Sequence, residues 1–283
     1  MTFHRDPSTF VNQVHILAKD VERSLLFYQE IIGFRILEHI GKKVVLTADG
    51  KTPLVTIEQP ENVLTKEPRT TGLYHFALLL PQRSDLAKAL SHLINTGYPL
   101  QGASDHRVSE AIYLADPDGN GIEIYADRPL HSWIKEDGQI LMTTERLDIE
   151  NLLQETKGEP WNGLPEHTIM GHIHLHVSDL QKAEDFYCKG LGFNVVNRYG
   201  EQATFISTGG YHHHIGMNTW NGVGAKAPAA NSVGMKWFSL VFPNEKARNE
   251  AVNKLKTLGV SVQEEEGILI TKDPSGNHIR LCV

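Results

Sequence analysis

The chain has 283 residues, 40% hydrophobic and 22% charged, a length and composition typical of a soluble globular protein with two domains. Its formal net charge of −7 is spread along the sequence without a basic stripe, which argues against nucleic acid as a partner. No apolar run reaches the roughly 18 residues that span a membrane, no signal peptide is evident, and the two cysteines form no CxxC pair. We therefore expect a cytoplasmic protein and leave homo-oligomerisation open.

The first predicted element is a strand of alternating apolar residues, followed by a helix, within residues 14–34. The same pattern returns within residues 173–193. Both stretches share an Asp, a Phe-Tyr pair and a Gly-Phe pair at the same spacing. Asp20 and Asp179 lie where each can cap the helix that follows. The repetition indicates that the two halves of the chain share a fold.

Each half also contains a second repeated segment. GLYHFALLLP at residues 72–81 matches GMKWFSLVFP at 234–243, and DPDGN at 116–120 matches DPSGN at 273–277. The two DPxGN segments are turn sequences. The chain therefore consists of four units, each predicted to run strand, helix, strand, strand, strand, which makes an α+β fold of four βαβββ units.

The units divide the chain into two predicted domains. Residues 9–127 hold units 1 and 2, and residues 169–283 hold units 3 and 4. The intervening residues 128–168 are rich in Pro, Gly and charged side chains, with a short amphipathic stretch at 147–153. We interpret them as a connector with one helix.

This fourfold repeat, with its FY…LGF and DPDGN motifs, resembles the vicinal oxygen chelate superfamily of glyoxalase I, bleomycin-resistance proteins, fosfomycin-resistance enzymes and extradiol dioxygenases. The resemblance covers nearly the whole chain outside the connector. It implies that units pair so that their sheets curl around a cavity. It also implies that metal ligands come from the first strand of each unit and from the last strand of one or both.

The residues at these implied ligand positions differ between the units. A non-haem Fe(II) site needs two neutral imidazoles and one carboxylate. Units 2 and 3 supply such a set: His75, Glu123 and His172. The same positions in units 1 and 4 hold residues that cannot form it: Gln13, Trp237 and Arg280. We therefore predict that unit 2 pairs with unit 3 around a metal, and that unit 1 pairs with unit 4 in a structural role.

A longer motif narrows the resemblance. Residues 106–123, HRVSEAIYLADPDGNGIE, are similar to the extradiol dioxygenase signature, on which His106, Tyr113 and Glu123 fall. Ser104 departs from it, since the signature prefers Gly, Asn, Thr or an aliphatic residue there. The resemblance implies that His106 and Tyr113 hydrogen-bond the substrate oxygens and assist ketonisation.

Three consecutive histidines occupy residues 212–214. In a strand, His212 and His214 would face one way and His213 the other. The resemblance implies an acid/base histidine on the last strand of the unit that supplies the other ligand histidine. We favour His213 for this role, with His214 as the alternative if the strand register slips by one residue.

The resulting hypothesis is an extradiol ring-cleaving dioxygenase of aromatic hydrocarbon catabolism. Its cofactor would be Fe(II), with Mn(II) as the alternative, and its substrates a small catechol- or hydroquinone-like aromatic and O2. One competing hypothesis is a metal isomerase or thiol transferase of the glyoxalase or fosfomycin-resistance kind, which would need a further Glu or Gln near His214. Another is a non-enzymatic protein that sequesters a toxic aromatic and contains no iron.

Overall fold

The computed structural model describes residues 3–136 and 138–283 and contains the predicted unit four times. Unit 1 consists of β1 (Phe10–Leu17), α1 (Val21–Phe27), β2 (Arg35–Ile40), β3 (Lys43–Thr47) and β4 (Val55–Glu58). Unit 2 consists of β5 (Gly72–Leu79), α2 (Arg83–Thr96), β6 (Leu100–Asp105), β7 (Ser109–Ala115) and β8 (Gly121–Asp127).

The segment between the two halves contains short elements. These are a 3₁₀ turn (Leu130–Ser132), β9 (Lys135–Glu136), β10 (Gln139–Ile140), β11 (Glu145–Arg146) and helix α3 (Ile149–Gln154). Among the described residues, α3 is the one α-helix of this segment, close to the predicted stretch at 147–153. The domain bounds drawn from the sequence stay a prediction.

The second half repeats the order of the first. Unit 3 consists of β12 (Ile169–His176), α4 (Leu180–Glu184), β13 (Asn194–Tyr199), β14 (Ala203–Ser207) and β15 (Ile215–Asn218). Unit 4 consists of β16 (Gly234–Val241), α5 (Glu245–Thr257), β17 (Val262–Glu265), β18 (Ile268–Lys272) and β19 (His278–Cys282). None of the helices in the described part of the chain is both long and apolar enough to span a bilayer.

Helices α1 and α4 begin where the sequence predicted. The carboxylate of Asp20 accepts a hydrogen bond from the backbone N–H of Arg23, and Asp179 does the same for Lys182. These contacts satisfy donors that the first helical turn leaves free. Each helix then continues into a π-helical turn, and the first of these ends at Gly33 in the left-handed conformation (φ 91°).

Two large sheets join the units in the predicted pairs. The nine-stranded sheet runs β11-β6-β7-β8-β5-β12-β15-β14-β13, so units 2 and 3 are joined through β5 and β12. The eight-stranded sheet runs β17-β18-β19-β16-β1-β4-β3-β2, so units 1 and 4 are joined through β1 and β16. Both joining pairs are antiparallel, with His174 opposite His75 and His15 opposite Trp237. The predicted pairing is confirmed.

The two sheets are also connected through the repeated motifs. The hydroxyl of Tyr28, in the FY motif of unit 1, donates to Asp116 Oδ2 in the DPDGN turn of unit 2 over 3.0 Å. Tyr187 of unit 3 donates in the same way to Asp273 of unit 4 over 3.1 Å. All four side chains are buried. The sequence identified both motifs, but it gave no sign that they contact each other.

Candidate metal centre

Three neighbouring strands of the nine-stranded sheet bring His75, Glu123 and His172 together. His75 lies on β5, Glu123 on β8 and His172 on β12, and β5 lies between the other two strands. One nitrogen or oxygen of each residue lies within 4.8 Å of the others. Glu123 Oε2 is 3.0 Å from His75 Nε2 and 3.1 Å from His172 Nε2.

This geometry is suited to a divalent metal. Imidazole and carboxylate ligands bind first-row metals at about 2.1 Å, so ligands on adjacent octahedral positions are about 3 Å apart. His75 Nε2 is buried and has no aligned hydrogen-bond partner among the described residues, although the Glu123 carboxylate is close. The three residues together therefore have the donor set and spacing of a two-His-one-carboxylate site.

The protonation states of two of these residues also favour metal binding. Burial lowers the pKa of His172 to about 4, so its imidazole is neutral near pH 7. Burial alone would raise the pKa of Glu123, but the neighbouring His172, and then His75, outweigh it and hold that pKa well below its usual range. Neutral imidazole and ionised carboxylate are the forms that bind metals.

Gly171, which precedes His172 on β12, shapes the surroundings of that histidine. A Cβ on Gly171 would lie 2.0 Å from the hydroxyl oxygen of Tyr125, so a larger residue there would displace the tyrosine. The Tyr125 ring packs against His172 with 4.9 Å between ring centroids. The missing side chain at Gly171 therefore lets a buried aromatic ring hold His172 in place.

A cavity of about 360 Å³ adjoins the cluster. His75 and Glu123 line it, and His172 is buried beside them. The aromatic and aliphatic side chains around the cavity include Tyr74, Val108, Leu114, Ile122, Met142, Phe205 and Trp220. The polar ones include Gln101, His106, Tyr113, Asn197 and His213. An apolar wall with a few convergent polar groups is typical of small-molecule sites.

His106 and Tyr113 form a hydrogen-bonded pair in this cavity. His106 Nδ1 lies 2.6 Å from the carbonyl oxygen of Thr143, which can only accept, so Nδ1 donates. In the neutral ring, Nε2 then accepts the hydroxyl proton of Tyr113 over 2.6 Å. Burial, and then the nearby Glu123, raise the pKa of Tyr113 well above its usual value, so the phenol is protonated.

The three consecutive histidines lie in the turn before β15, which begins at Ile215. His213 lines the cavity, and its ring centroid is 4.0 Å from that of His172. His214 is turned away from it, with Nε2 3.1 Å from the carbonyl of Phe3 and Nδ1 3.1 Å from Ser207 Oγ. Residues 212–214 do not lie in a strand, so the alternation expected for a strand does not apply to them. His212 and His214 both pack against Tyr211, but His212 contacts Asp127, whereas His214 contacts Phe3 and Ser207.

Comparison with known proteins places the chain in a family. The model of the Glyoxalase/Bleomycin resistance protein/Dioxygenase superfamily matches residues 10–124 and 169–281. The chain belongs to this superfamily. A catechol-2,3-dioxygenase from Bacillus subtilis (strain 168) is 45% identical over 286 residues, covering 100% of this chain and 99% of that protein. The predicted fold class and the predicted enzyme class, an extradiol dioxygenase, are thereby confirmed.

Two more distant proteins are also similar to this chain. Biphenyl-2,3-diol 1,2-dioxygenase 3 from Rhodococcus globerulus is 27% identical over 103 residues, 36% of this chain and 54% of that protein. The crystal structure of glyoxalase I from Zea mays superposes with a TM-score of 0.59 at 14% identity, covering 97% of this chain and 92% of that one. At such low identity, this structural likeness shows the fold alone.

The structure adds residues that the sequence analysis did not place at the site. His174 lines the cavity, and its Nε2 accepts a hydrogen bond from Asn218 Nδ2 over 2.9 Å. Its ring lies against Gly216, where a Cβ would be 2.9 Å from the imidazole. Met142 and Thr143 of the predicted connector line the cavity as well. Strand parity with His172 indicates that His174 or His176 can line the cavity, but no repeat or motif marks the connector residues.

The equivalent positions of the eight-stranded sheet are filled differently. The guanidinium of Arg280 stacks on the Trp237 ring, with its carbon 3.9 Å from the ring centroid. Gln13 donates from Nε2 to Thr56 Oγ1 over 2.9 Å. Within residues 3–136 and 138–283, the one group of three or more His, Cys, Asp or Glu residues that could hold a metal is the group in the nine-stranded sheet.

Proposed function

We propose that the chain is an Fe(II)-dependent extradiol dioxygenase that opens the ring of a catechol- or hydroquinone-like aromatic. The convergence of His75, Glu123 and His172 beside a cavity that also exposes His213 carries the proposal. The whole-chain similarity to a catechol-2,3-dioxygenase supports the choice of reaction and substrate class. Two imidazoles and one carboxylate with open positions are the usual ligands of non-haem Fe(II) oxygenases.

His75, Glu123 and His172 would hold the iron. When bound, Fe(II) supplies a Lewis acid and a path for electrons between the aromatic and O2. The protein itself contributes position and proton transfer. His213 would take a phenolic proton, because its ring faces the cavity. Its pKa is held well below the usual value, chiefly by burial, so the free ring is a neutral base.

The remaining cavity residues would orient the ring. The Tyr113 hydroxyl lines the cavity with its proton directed at His106, so its oxygen would accept a hydrogen bond from a substrate O–H, and a turn of the hydroxyl toward the cavity would let it return a proton to the opened product. Phe205 and Trp220 offer faces against which an aromatic ring would pack. A volume of about 360 Å³ lies near the small end of the range for ligand pockets, which suits a single substituted ring.

The direct experiment is purification of the full chain without oxygen, followed by metal analysis and oxygen-electrode assays with a panel of catechols and hydroquinones. We expect about one iron per chain and O2 uptake coupled to a ring-opened product. His75→Ala, Glu123→Ala and His172→Ala should each lose the metal while keeping the wild-type circular dichroism spectrum. Gln13→Ala is the matched control, because it changes the equivalent position of the eight-stranded sheet, and it should keep the metal.

Other outcomes would contradict the proposal. One such outcome is a metal-loaded protein that consumes no O2 with any aromatic and instead catalyses an isomerisation or the transfer of a thiol. That result would make it an enzyme of the glyoxalase or fosfomycin-resistance kind. A metal-free protein that binds aromatics tightly would be a sequestering protein. Manganese in place of iron, with ring cleavage retained, would change the cofactor and leave the reaction as proposed.

A further inference from the structure

A chain of hydrogen bonds runs behind His213, away from the cavity. His213 Nδ1 lies 2.8 Å from His212 Nδ1, and both rings are buried. His212 Nε2 lies 2.9 Å from Asp127 Oδ1. The Asp127 side chain is 25% exposed, so these hydrogen bonds connect the cavity to a carboxylate in contact with solvent. The reaction as described above makes no use of His212 or Asp127.

The order of donors in this chain follows from the carboxylate. An ionised carboxylate can only accept, so the proton on His212 lies on Nε2. A neutral imidazole with its proton on Nε2 can only accept at Nδ1. With a single proton on His212, the hydrogen bond between the two histidines is donated by His213 Nδ1. The lone pair of the neutral His213 ring is then on Nε2, the nitrogen that is not engaged by His212.

We propose that His212 and Asp127 are positioning residues that hold His213 in the tautomer with its proton on Nδ1 and its lone pair on Nε2 toward the cavity. This rests on the proposed function, in which the substrate O–H bond breaks and a new N–H bond forms at His213 Nε2. The positive charge that this transfer creates on the histidine pair is balanced by Asp127. A proton on Nε2 instead would leave His213 unable to act as a base.

The surroundings keep the carboxylate and the intermediate ring in place. Asp127 lies on β8 with the proposed ligand Glu123, four residues along and on the same face of the strand. The hydroxyl of Tyr211 donates to the same carboxylate oxygen over 3.1 Å. Trp133 packs against His212 with 5.2 Å between ring centroids. The strand that supplies the carboxylate ligand therefore also supplies the anchor of the acid/base histidine.

The test compares two substitutions in this chain of hydrogen bonds with one beside it. Asp127→Asn keeps the size of the side chain but removes its charge and adds a donor. His212→Phe keeps a ring but removes both nitrogens. Ser207→Ala is the matched control: it removes a buried hydrogen bond to the neighbouring His214, which does not face the cavity. A purely structural chain of hydrogen bonds would affect the unfolding transition and leave kcat unchanged.

Two readouts are needed. The first is ¹⁵N spectroscopy of the full, metal-free chain labelled at histidine, because protonated and unprotonated ring nitrogens have widely separated shifts. We expect the His213 proton on Nδ1 and the His212 proton on Nε2. The second is steady-state kinetics of the iron-loaded protein. We expect kcat to fall about 10- to 100-fold in Asp127→Asn and His212→Phe, the usual cost of losing a supporting hydrogen bond, with KM and iron content little changed. Ser207→Ala should match the wild type in both.

The inference is overturned if wild-type His213 carries its proton on Nε2, or if either folded variant retains wild-type kcat. Absence of ring cleavage in the wild type would instead contradict the proposed function, and the ¹⁵N shifts would still decide the proton arrangement. The two failures are thus distinguishable.

Discussion

Each of the three consecutive histidines has a separate environment. His213 faces the cavity, whereas His214 is held by the backbone carbonyl of Phe3 and by Ser207. We expect His213→Ala to retain iron but to lower turnover by about 10²–10⁴-fold, the usual contribution of a proton-transfer group. His214→Ala should affect turnover far less and lower the free energy of unfolding instead, because two hydrogen bonds in the interior are lost.

A substrate that has already lost its proton offers a further check at this position. A nitrocatechol needs less proton abstraction, so it should recover part of the activity lost in His213→Ala. Oxygen uptake and iron content would be measured for both variants with catechol and with the nitrocatechol. A critical His214 together with a tolerant His213 would reverse the assignment, and loss of iron from His213→Ala would make that residue a ligand.

The sequence predicted some of these residues better than others for a physical reason. The candidate ligands occupy fixed positions in a repeated unit, so comparing the units was enough to select His75, Glu123 and His172. The hydrogen bond between His212 and Asp127 joins residues 85 positions apart and depends on how a turn orients a side chain. Strand periodicity says nothing about side-chain direction in turns, and for this reason the sequence did not indicate the contact between His212 and Asp127.

At the level of elements, the FY and DPxGN motifs do more than shape their own turns. Tyr28 connects the π-helical turn of unit 1 to the DPDGN turn of unit 2, and thereby the eight-stranded sheet to the nine-stranded sheet. Its partner Asp116 is buried, and this burial raises the pKa of that carboxyl in spite of the hydrogen bonds from Asn120. Loss of any one hydrogen-bond donor to a buried carboxyl therefore destabilises the folded protein strongly.

We therefore expect Tyr28→Phe to lower the free energy of unfolding by about 1.5–3 kcal/mol, the range for hydrogen bonds to charged groups. Tyr98→Phe is the matched control, because its hydroxyl donates to the neutral backbone carbonyl of Ala115 over 2.9 Å. Tyr98→Phe should lower the free energy of unfolding by about 0.5–1.5 kcal/mol. Urea unfolding of the two variants would measure both values. Equal costs would show that Asp116 does not depend on Tyr28.

The elements that lack a repeated pattern were the harder ones to predict. The pairing of units 2 with 3 followed from the unequal distribution of ligand-type residues, because only that pairing completes one site. The connector carries no such pattern, yet its β11 extends the nine-stranded sheet, and Met142 and Thr143 line the cavity. The positions of Met142 and Thr143 depend on how the connector packs across the edge of the sheet. A composition rich in Pro, Gly and charged residues does not predict that packing.

At the level of the whole molecule, the two sheets have the same architecture, but the chemistry proposed here uses only the nine-stranded one. The eight-stranded sheet keeps a histidine at the position that corresponds to His174. This residue, His15, is buried, and its Nε2 lies 2.8 Å from Glu58 Oε2. Burial, and then the charge of Lys236, lower the pKa of His15 to about 3 although Glu58 opposes the shift. The histidine is therefore neutral in the folded protein at every pH near neutrality.

This gives a prediction for acid stability. The unfolded chain binds a proton at His15 near its ordinary pKa of about 6.5, whereas the folded chain does not until about pH 3. Since the unfolded state then binds more protons, the contribution of His15 to stability is present above pH 6.5 and decreases as the pH falls below it. The decrease is about 1.4 kcal/mol per pH unit.

We expect urea unfolding of the metal-free chain to show a free energy of unfolding that falls between pH 7 and pH 5.5. In His15→Asn the fall over the same interval should be smaller by about 1.4 kcal/mol, whatever the stability of the variant at pH 7. His39→Asn is the control, because His39 is exposed on β2, and its variant should show the wild-type dependence. An unchanged dependence in His15→Asn would mean that His15 is protonated in the folded state, with Glu58 outweighing burial and Lys236.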